Sequence, residues 1–182
     1  MMERYRIHSG LFVYFFTFRI VEWLPVFISE YPCKVFTESL NYCSSHKSLG
    51  VHSFVLMLTH IHAVMFDRDS DSDQLKETMS DMRKFTGRQL ADYCERELPW
   101  YYTVIMRQNS GEDRDRRFWH PTIHAEAVIS EKFLQQKVDY LHDNPVRKGL
   151  VKNPEDWRFS SARFWLTGST DCDVELCDLQ WD

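Results

Sequence analysis

Short runs of apolar and aromatic residues alternate along the chain with stretches in which apolar residues recur every three or four positions. Four runs are rich in β-branched and aromatic side chains: residues 11–21, 51–58, 60–66 and 101–106. Such side chains favour the pleated backbone of a β-strand. Only Thr59 separates the second run from the third, so we predict a hairpin with a tight turn between them.

Helical spacing of apolar residues predicts helices at residues 33–47, 74–97, 130–144 and 157–166. The third is the best defined, because Ser130 suits an N-cap and Pro145 is expected to end the helix. Residues 118–129 are predicted to be irregular or to form a short strand. The order strand, helix, strand, strand, helix, strand, helix predicts a single α+β domain, an antiparallel sheet flanked by helices.

The chain has 182 residues, 43% of them hydrophobic, which suits one globular domain with a sizeable core. We assign residues 1–168 to this domain and residues 169–182 to a tail expected to be poorly ordered. The net charge of −5 comes from five acidic residues in that tail: Asp171, Asp173, Glu175, Asp178 and Asp182. The body is therefore neutral, and a basic face on it is compatible with nucleic-acid binding.

Cysteine content and hydropathy indicate the cellular compartment in which the protein is expected. The five cysteines are odd in number and form no C-x-x-C pair, which favours reduced thiols. No apolar run is long enough to cross a bilayer, and residues 11–18 are more typical of a strand than of a signal peptide. We therefore expect a cytoplasmic protein with no membrane partner.

Two histidines in the third strand-like run are candidate metal ligands. In His60-Ile61-His62 the two imidazoles share one face of a strand, because side chains alternate along it. Imidazole commonly binds divalent metals. Two ligands do not make a site, and alone this pair is more typical of a half-polar strand than of a metal site.

The helix at 130–144 carries candidate residues for a nucleophile and for the third ligand. Tyr140 and Asn144 lie one turn apart on one side of it. A phenol is mostly protonated at neutral pH, and a nearby divalent cation favours its ionised form. Attack by tyrosine on a phosphodiester would conserve the bond energy in a phosphotyrosine, so that rejoining needs no ATP. Alternatively, Tyr140 packs at the edge of the core and Asn144 caps the helix.

Several segments resemble the REP-associated tyrosine transposases and the wider family of single-tyrosine HUH transposases (IS-two-hundred-like). HIH fits the HUH motif, two histidines around a bulky apolar residue, and MRKFTGRQLADY and FWHPTIHAEAVIS are similar to two further family segments. DYLHDNPVRKGLVKNPEDWRFSSARFWL closely follows the signature of the family's tyrosine helix. The resemblance spans roughly residues 11–168. It implies an antiparallel sheet flanked by helices in a ferredoxin-like arrangement.

The resemblance also implies an activity. Members of the family cut and join single-stranded DNA near foldback hairpins through a 5′-phosphotyrosine, using one divalent ion, Mg²⁺ or Mn²⁺. The matching positions imply Tyr140 as the nucleophile and His60, His62 and Asn144 as metal ligands. One departure is Leu58-Thr59, where the family usually carries Pro-Asn, and another is the absence of excess basic charge.

Two alternatives remain open. A domesticated relative would bind hairpin DNA without cutting it, and the intact set of four site residues argues against this. A replication initiator or relaxase of the same superfamily would lack the Asn-Pro-Val segment after the tyrosine.

Basic and aromatic residues near these motifs are candidates for contact with single-stranded or hairpin DNA. They are Arg83, Lys84, Arg88, Arg117, Trp119, His124, Arg147 and Lys148. Basic side chains of this kind bind phosphates without reading sequence, and Trp119 has the ring to stack on an unpaired base. Each basic cluster is also typical of a solvated surface, and Trp119 of a core residue. We expect no small-molecule substrate, and a monomer or a homodimer.

Overall fold

The computed structural model of the protein describes residues 6–112 and 114–179. The elements follow one another as β1 (Val13–Arg19), α1 (Glu30–His46), β2 (Leu49–Leu56), β3 (His60–Asp67), α2 (Ser72–Glu97), α3 (Trp100–Gln108), β4 (His124–Ala127), α4 (Glu131–Arg147) and α5 (Ala162–Thr167). Short 3₁₀ helices lie at Val21–Trp23 and Pro154–Asp156. Within the described ranges, none of the helices is both long enough and apolar enough to span a membrane.

The four strands form one antiparallel sheet in the order β2-β3-β1-β4. β2 and β3 form the predicted hairpin, and β1 lies in the middle because the chain crosses over through α1 before the hairpin begins. This strand order, with α1 and α2 packed against one face, is the ferredoxin-like arrangement, and α4 covers the other face. The predicted α+β class and antiparallel sheet are therefore confirmed.

The sheet separates two apolar cores, because side chains alternate between its faces. Tyr14, Phe16 and Phe18 of β1 face the larger core, where α1, α2 and α3 pack. Phe15 faces the smaller core, which α4 covers with residues that include Leu141. The apolar side that helical spacing predicted for residues 130–144 is thus buried against the sheet face that also carries His60 and His62.

The strand predicted at residues 101–106 is wrong, because this segment lies in α3. Its β-branched and aromatic content favoured a strand, but Tyr102 and Met106 are buried against the larger core. The buried residues of α3 are Tyr102, Thr103 and Met106. Neighbouring residues such as 102 and 103 point to opposite faces of a strand, whereas positions i, i+1 and i+4 lie on one side of a helix. Tertiary packing therefore outweighed the local strand preference.

The α4 helix also differs from its prediction, because it continues through Pro145 to Arg147. A proline removes one N–H from a helix and crowds the preceding turn. Here the preceding turns are already packed on the sheet, and the carbonyl of Asn144 still accepts from the N–H of Lys148 at 3.1 Å. Gly149 then adopts a positive φ of 70° and turns the chain away.

The acidic segment after residue 168 lies against the domain as far as the structure describes it. Val174 is 3% exposed. Asn41 donates from Nδ2 to the carbonyl of Asp173 at 2.7 Å, and the N–H of Cys177 donates to the carbonyl of Val51 at 2.8 Å. A buried side chain and backbone hydrogen bonds hold this segment in spite of its charge.

Candidate functional site

The histidine pair lies at one end of the central strands. His60 and His62 are the first and third residues of β3, and their cross-strand partners on β1 are Arg19 and Thr17. The two imidazole centroids are 4.8 Å apart at an interplanar angle of 74°. The alternation of side chains predicted that the two rings share a face, and in the structure this is the face that α4 covers.

A threonine hydroxyl lies beside the Nδ1 atom of each imidazole. Thr17 Oγ1 is 2.8 Å from His62 Nδ1, and Thr59 Oγ1 is 3.0 Å from His60 Nδ1. Among residues 6–112 and 114–179, no hydrogen bond reaches the Nε2 atom of either ring. A histidine that binds metal through one nitrogen is usually oriented by a hydrogen bond at the other, and this pair has that arrangement.

Burial keeps both imidazoles neutral. It lowers the pKa of His60 to about 4, with a further contribution from Lys148. Burial also lowers the pKa of His62 to about 3, helped by His60 and by the positive charge of Lys137. At pH 7 both rings therefore carry a free lone pair, which metal binding requires.

The α4 helix places Tyr140 against the histidines. Its ring centroid is 5.4 Å from that of His62 and 6.0 Å from that of Phe15, edge-on to both. The Arg147 guanidinium carbon lies 4.5 Å from the Tyr140 ring centroid, within the range of a cation–π contact. Tyr140 is 39% exposed, so solvent reaches the residue beside the imidazoles.

Asn144 lies one turn further along α4 and is 2% exposed. Its Nδ2 atom is buried and has no hydrogen-bond partner in the part of the chain that the structure describes. An unpaired buried amide is unusual, because it costs about 1–3 kcal/mol. The described residues contain no cluster of three or more His, Cys, Asp or Glu able to hold a metal, so a third protein ligand requires another group, such as an amide oxygen. Two neutral imidazoles and one amide oxygen fit a divalent ion that keeps open positions.

Three residues near His60 and His62 were not expected from the sequence: Thr17, Arg19 and Trp23. Arg19 Nη2 lies 3.2 Å from His120 Nδ1, and the Arg19 guanidinium carbon is 5.3 Å from the Trp23 ring centroid. The Trp23 ring is edge-on to that of His60 at 5.7 Å. The alternation along β1 puts Thr17 and Arg19 on one face, but the sequence does not indicate which strand lies beside them.

Three of the candidate DNA-binding residues lie beside this site. Arg147 packs on Tyr140, and the charge of Lys148 acts on His60. His124, the first residue of β4, is the cross-strand partner of Thr17 and contributes to the depressed pKa of His62. His62, Thr17 and His124 therefore form one row across three strands.

The other five candidates lie around a cavity formed by α2 and the segment that leads into β4. Arg83, Lys84, Arg88 and Arg117 line it. Trp119 borders it but is 5% exposed, and its Nε1 donates to Thr86 Oγ1 at 3.0 Å. Trp119 thus belongs to the larger core, which is the alternative that the sequence offered for it beside base stacking, and its faces are packed against other aromatic rings.

Two known proteins are similar to this chain in sequence. No family model matches the chain. A Haemophilus influenzae protein, provisionally named as a REP-associated tyrosine transposase, is 23% identical over 149 residues, 82% of this chain and 78% of that protein. The REP-associated tyrosine transposase of Escherichia coli is 37% identical over 46 residues, 25% of this chain and 28% of that one.

A solved structure extends the similarity to the fold. The REP-associated tyrosine transposase bound to a REP hairpin superimposes with a TM-score of 0.62 at 19% identity, over 98% of this chain and 95% of that chain. In sequence along most of its length, and in fold, this chain is therefore similar to REP-associated tyrosine transposases.

Proposed function

We propose that this chain is a metal-dependent strand transferase that cuts and rejoins single-stranded DNA beside a hairpin, with Tyr140 as the nucleophile. The observation that carries the proposal is the contact between Tyr140 and a pair of neutral imidazoles. The two ring centroids of Tyr140 and His62 are 5.4 Å apart, and threonine hydroxyls at Nδ1 leave each Nε2 available. Similarity to transposases supports the same class of reaction.

His60, His62 and Asn144 would hold one divalent ion. When bound, the ion supplies Lewis-acid polarisation of the scissile phosphate and neutralises charge that develops on it. Because two of the three protein ligands are imidazoles, we expect Mn²⁺ to bind more tightly than Mg²⁺, which prefers oxygen ligands.

In the proposed reaction Tyr140 gives up its hydroxyl proton and attacks phosphorus. A bond forms between Tyr140 Oη and phosphorus, and the bond from phosphorus to the 3′ oxygen breaks. The 3′ oxygen takes up a proton and leaves as a hydroxyl, while the 5′ phosphate stays on the tyrosine. Attack by a 3′ hydroxyl on this phosphotyrosine reverses the step and restores the free tyrosine. Arg147, packed on the Tyr140 ring, would hold the ring in place and lie close to the phosphate.

The proposed partner is a DNA hairpin with a single-stranded extension. One relative of the same fold is described as bound to a REP hairpin. The Arg147 guanidinium packs on the Tyr140 ring, and the charge of Lys148 lowers the pKa of His60, so both residues would place positive charge beside a phosphate held there.

The test is a gel of protein mixed with labelled single-stranded hairpin DNA and Mn²⁺. We expect an adduct that survives denaturant, forms in Mn²⁺, and is absent with EDTA or when Tyr140 is replaced by Phe. DNA that binds to the protein without any adduct would instead support a hairpin-binding protein that does not cut.

A further inference from the structure

A second positively charged surface lies on the far side of His120 from the histidine pair. It is a cavity of about 630 Å³ between α2 and the segment that leads into β4, and we call it the α2 cavity. The basic residues that line it are Arg83, Lys84, Arg88, Arg114, Arg116 and Arg117. Asp115 is the one acidic residue among the described lining residues. A small volume with this excess of positive charge favours an anion.

Two of these guanidinium groups have hydrogen-bond donors to spare. Arg83 donates from Nη2 to the carbonyl of His120, but Arg83 Nε and Arg117 Nε are buried and have no hydrogen-bond partner in the described ranges. Arg116, by contrast, is engaged by Asp92 and Glu95, each at 2.6 Å. The unpaired donors are therefore Arg83 and Arg117, which lie close enough for their charges to interact.

That interaction is unfavourable without an anion. Burial and, to a smaller extent, the positive charges of Arg114 and Arg117 together lower the pKa of Arg83 to about 10. An anion between the guanidinium groups would offset this repulsion and satisfy the unpaired N–H donors. A phosphate suits them best, because its oxygens match the planar fork of arginine.

A continuous row of residues joins the α2 cavity to the histidine pair. Arg83 contacts the backbone of His120, and the His120 ring lies 3.2 Å from Arg19 Nη2. Arg19 is the cross-strand partner of His60 and packs on Trp23, which is 51% exposed. A nucleic-acid strand lying along this row would meet two cationic groups and an exposed indole, the combination that single-strand binding surfaces use.

We infer that the α2 cavity binds a backbone phosphate of the single strand that extends from the reacting site. In this arrangement, which rests on the proposed DNA function, the strand leaves the histidine pair over Trp23 and Arg19, and one of its later phosphates lies between Arg83 and Arg117. The contact would position the strand without reading its sequence, because it involves phosphate and not base edges. It also explains how a protein with a net charge of −5 could bind DNA, since the cations are concentrated on one surface.

The experiment compares two DNA probes. One is a hairpin with a long single-stranded flank, and the other is the same hairpin with the flank trimmed close to the cleavage site. In the double variant Arg83→Gln/Arg117→Gln we expect affinity for the flanked probe to fall about tenfold. The slope of log affinity against log salt concentration should become shallower by about one. Affinity for the trimmed probe should stay unchanged. Arg96→Gln is the matched control, because Arg96 is an exposed arginine on the same helix outside the α2 cavity.

Two further measurements separate the possible outcomes. If the half-buried Arg83 and Arg117 are needed for folding, as thermal melting would reveal, the exposed pair Lys84→Gln/Arg88→Gln tests the same cavity. Inorganic phosphate alone should raise the melting temperature of the wild type more than that of the variants. Equal affinity of wild type and folded variants for the flanked probe overturns the inference, as does a wild type that binds neither DNA nor phosphate. Flank-dependent binding without a covalent adduct would support the α2 cavity while overturning strand transfer by Tyr140.

Discussion

The hydroxyl of Thr17 lies 2.8 Å from Nδ1 of His62, across the pairing of β1 with β3. The contact fixes the rotation of a buried imidazole, which would otherwise have two ways to present its nitrogens. With Nδ1 engaged, Nε2 remains for a ligand. Thr17 therefore positions a candidate metal ligand that is distant from it in sequence.

Replacing Thr17 by Val removes this hydroxyl and keeps the shape of the side chain. We expect Mn²⁺ affinity and the rate of adduct formation to fall about tenfold to a hundredfold, as is usual when an outer hydrogen bond to a metal ligand is lost. Mn²⁺ binding followed by electron paramagnetic resonance, beside the adduct gel, measures both. The control is Thr37→Val, because Thr37 is a buried threonine of α1 that bonds locally to the carbonyl of Lys34. An unchanged adduct rate in Thr17→Val would mean that Thr17 does not orient the ligand.

Replacing Tyr140 by Phe should abolish the covalent adduct and leave hairpin binding intact. The change removes one hydroxyl from a residue that is 39% exposed, so the free energy of unfolding should change by less than about 0.5 kcal/mol. Tyr101→Phe serves as the control, because Tyr101 is 45% exposed on α3. Adducts that persist in Tyr140→Phe but disappear in Tyr101→Phe would transfer the role to the other tyrosine.

The depressed pKa values of the histidine pair predict how metal binding responds to acid. Unperturbed imidazoles would take up protons, and so lose a metal, as pH falls through about 6.5. Because burial lowers the pKa of His60 to about 4 and that of His62 to about 3, Mn²⁺ affinity should stay nearly constant from pH 8 to pH 5. His60→Ala should weaken Mn²⁺ binding and adduct formation over this whole range, while its melting temperature stays close to that of the wild type. A large drop in melting temperature with normal cleavage would make the histidines structural.

His142 should make the stability of the fold depend on pH. It is 5% exposed, its Nε2 lies 2.8 Å from Ser161 Oγ, and burial lowers its pKa to about 4. The unfolded chain takes up the proton at about pH 6.5 and the folded chain does not. The contribution of His142 is therefore complete above pH 6.5 and is lost as pH falls from 6.5 towards 4, by about 2 kcal/mol at pH 5.

Urea unfolding at pH 7 and pH 5 measures this loss. The wild type should lose more stability than His142→Gln, by about 2 kcal/mol. His46→Gln is the control, since His46 is exposed on α1. Equal losses in the wild type and in His142→Gln would show that His142 is not buried in its neutral form.

Trp119 should act on stability and not on DNA. Truncation to Ala leaves a cavity among aromatic rings and removes the hydrogen bond to Thr86, so we expect a loss of about 3–5 kcal/mol in the free energy of unfolding. Trp100→Ala is the control, because Trp100 is 77% exposed. If Trp119→Ala unfolded like the wild type but bound hairpin DNA weakly, Trp119 would contact the nucleic acid after all.

The sequence by itself determined the elements whose signals are local. The apolar runs of β1 and of the β2–β3 hairpin, and the periodic stripes of α1, α2 and α4, predicted strands and helices because backbone hydrogen bonding repeats over a few residues. The same periods predicted that His60 and His62 share a face and that Tyr140 and Asn144 lie one turn apart.

Only the tertiary structure decided the relations between segments. Thr17 and His62 are 45 positions apart, and their contact depends on which strands pair and in which register. Residues 101–106 became helical, and Trp119 became buried, because the larger core covered one side of each. Arg83 and Arg117 come together because the segment before β4 packs beside α2. Burial and cross-strand register depend on distant parts of the chain that fold against one another, so a local pattern does not contain them.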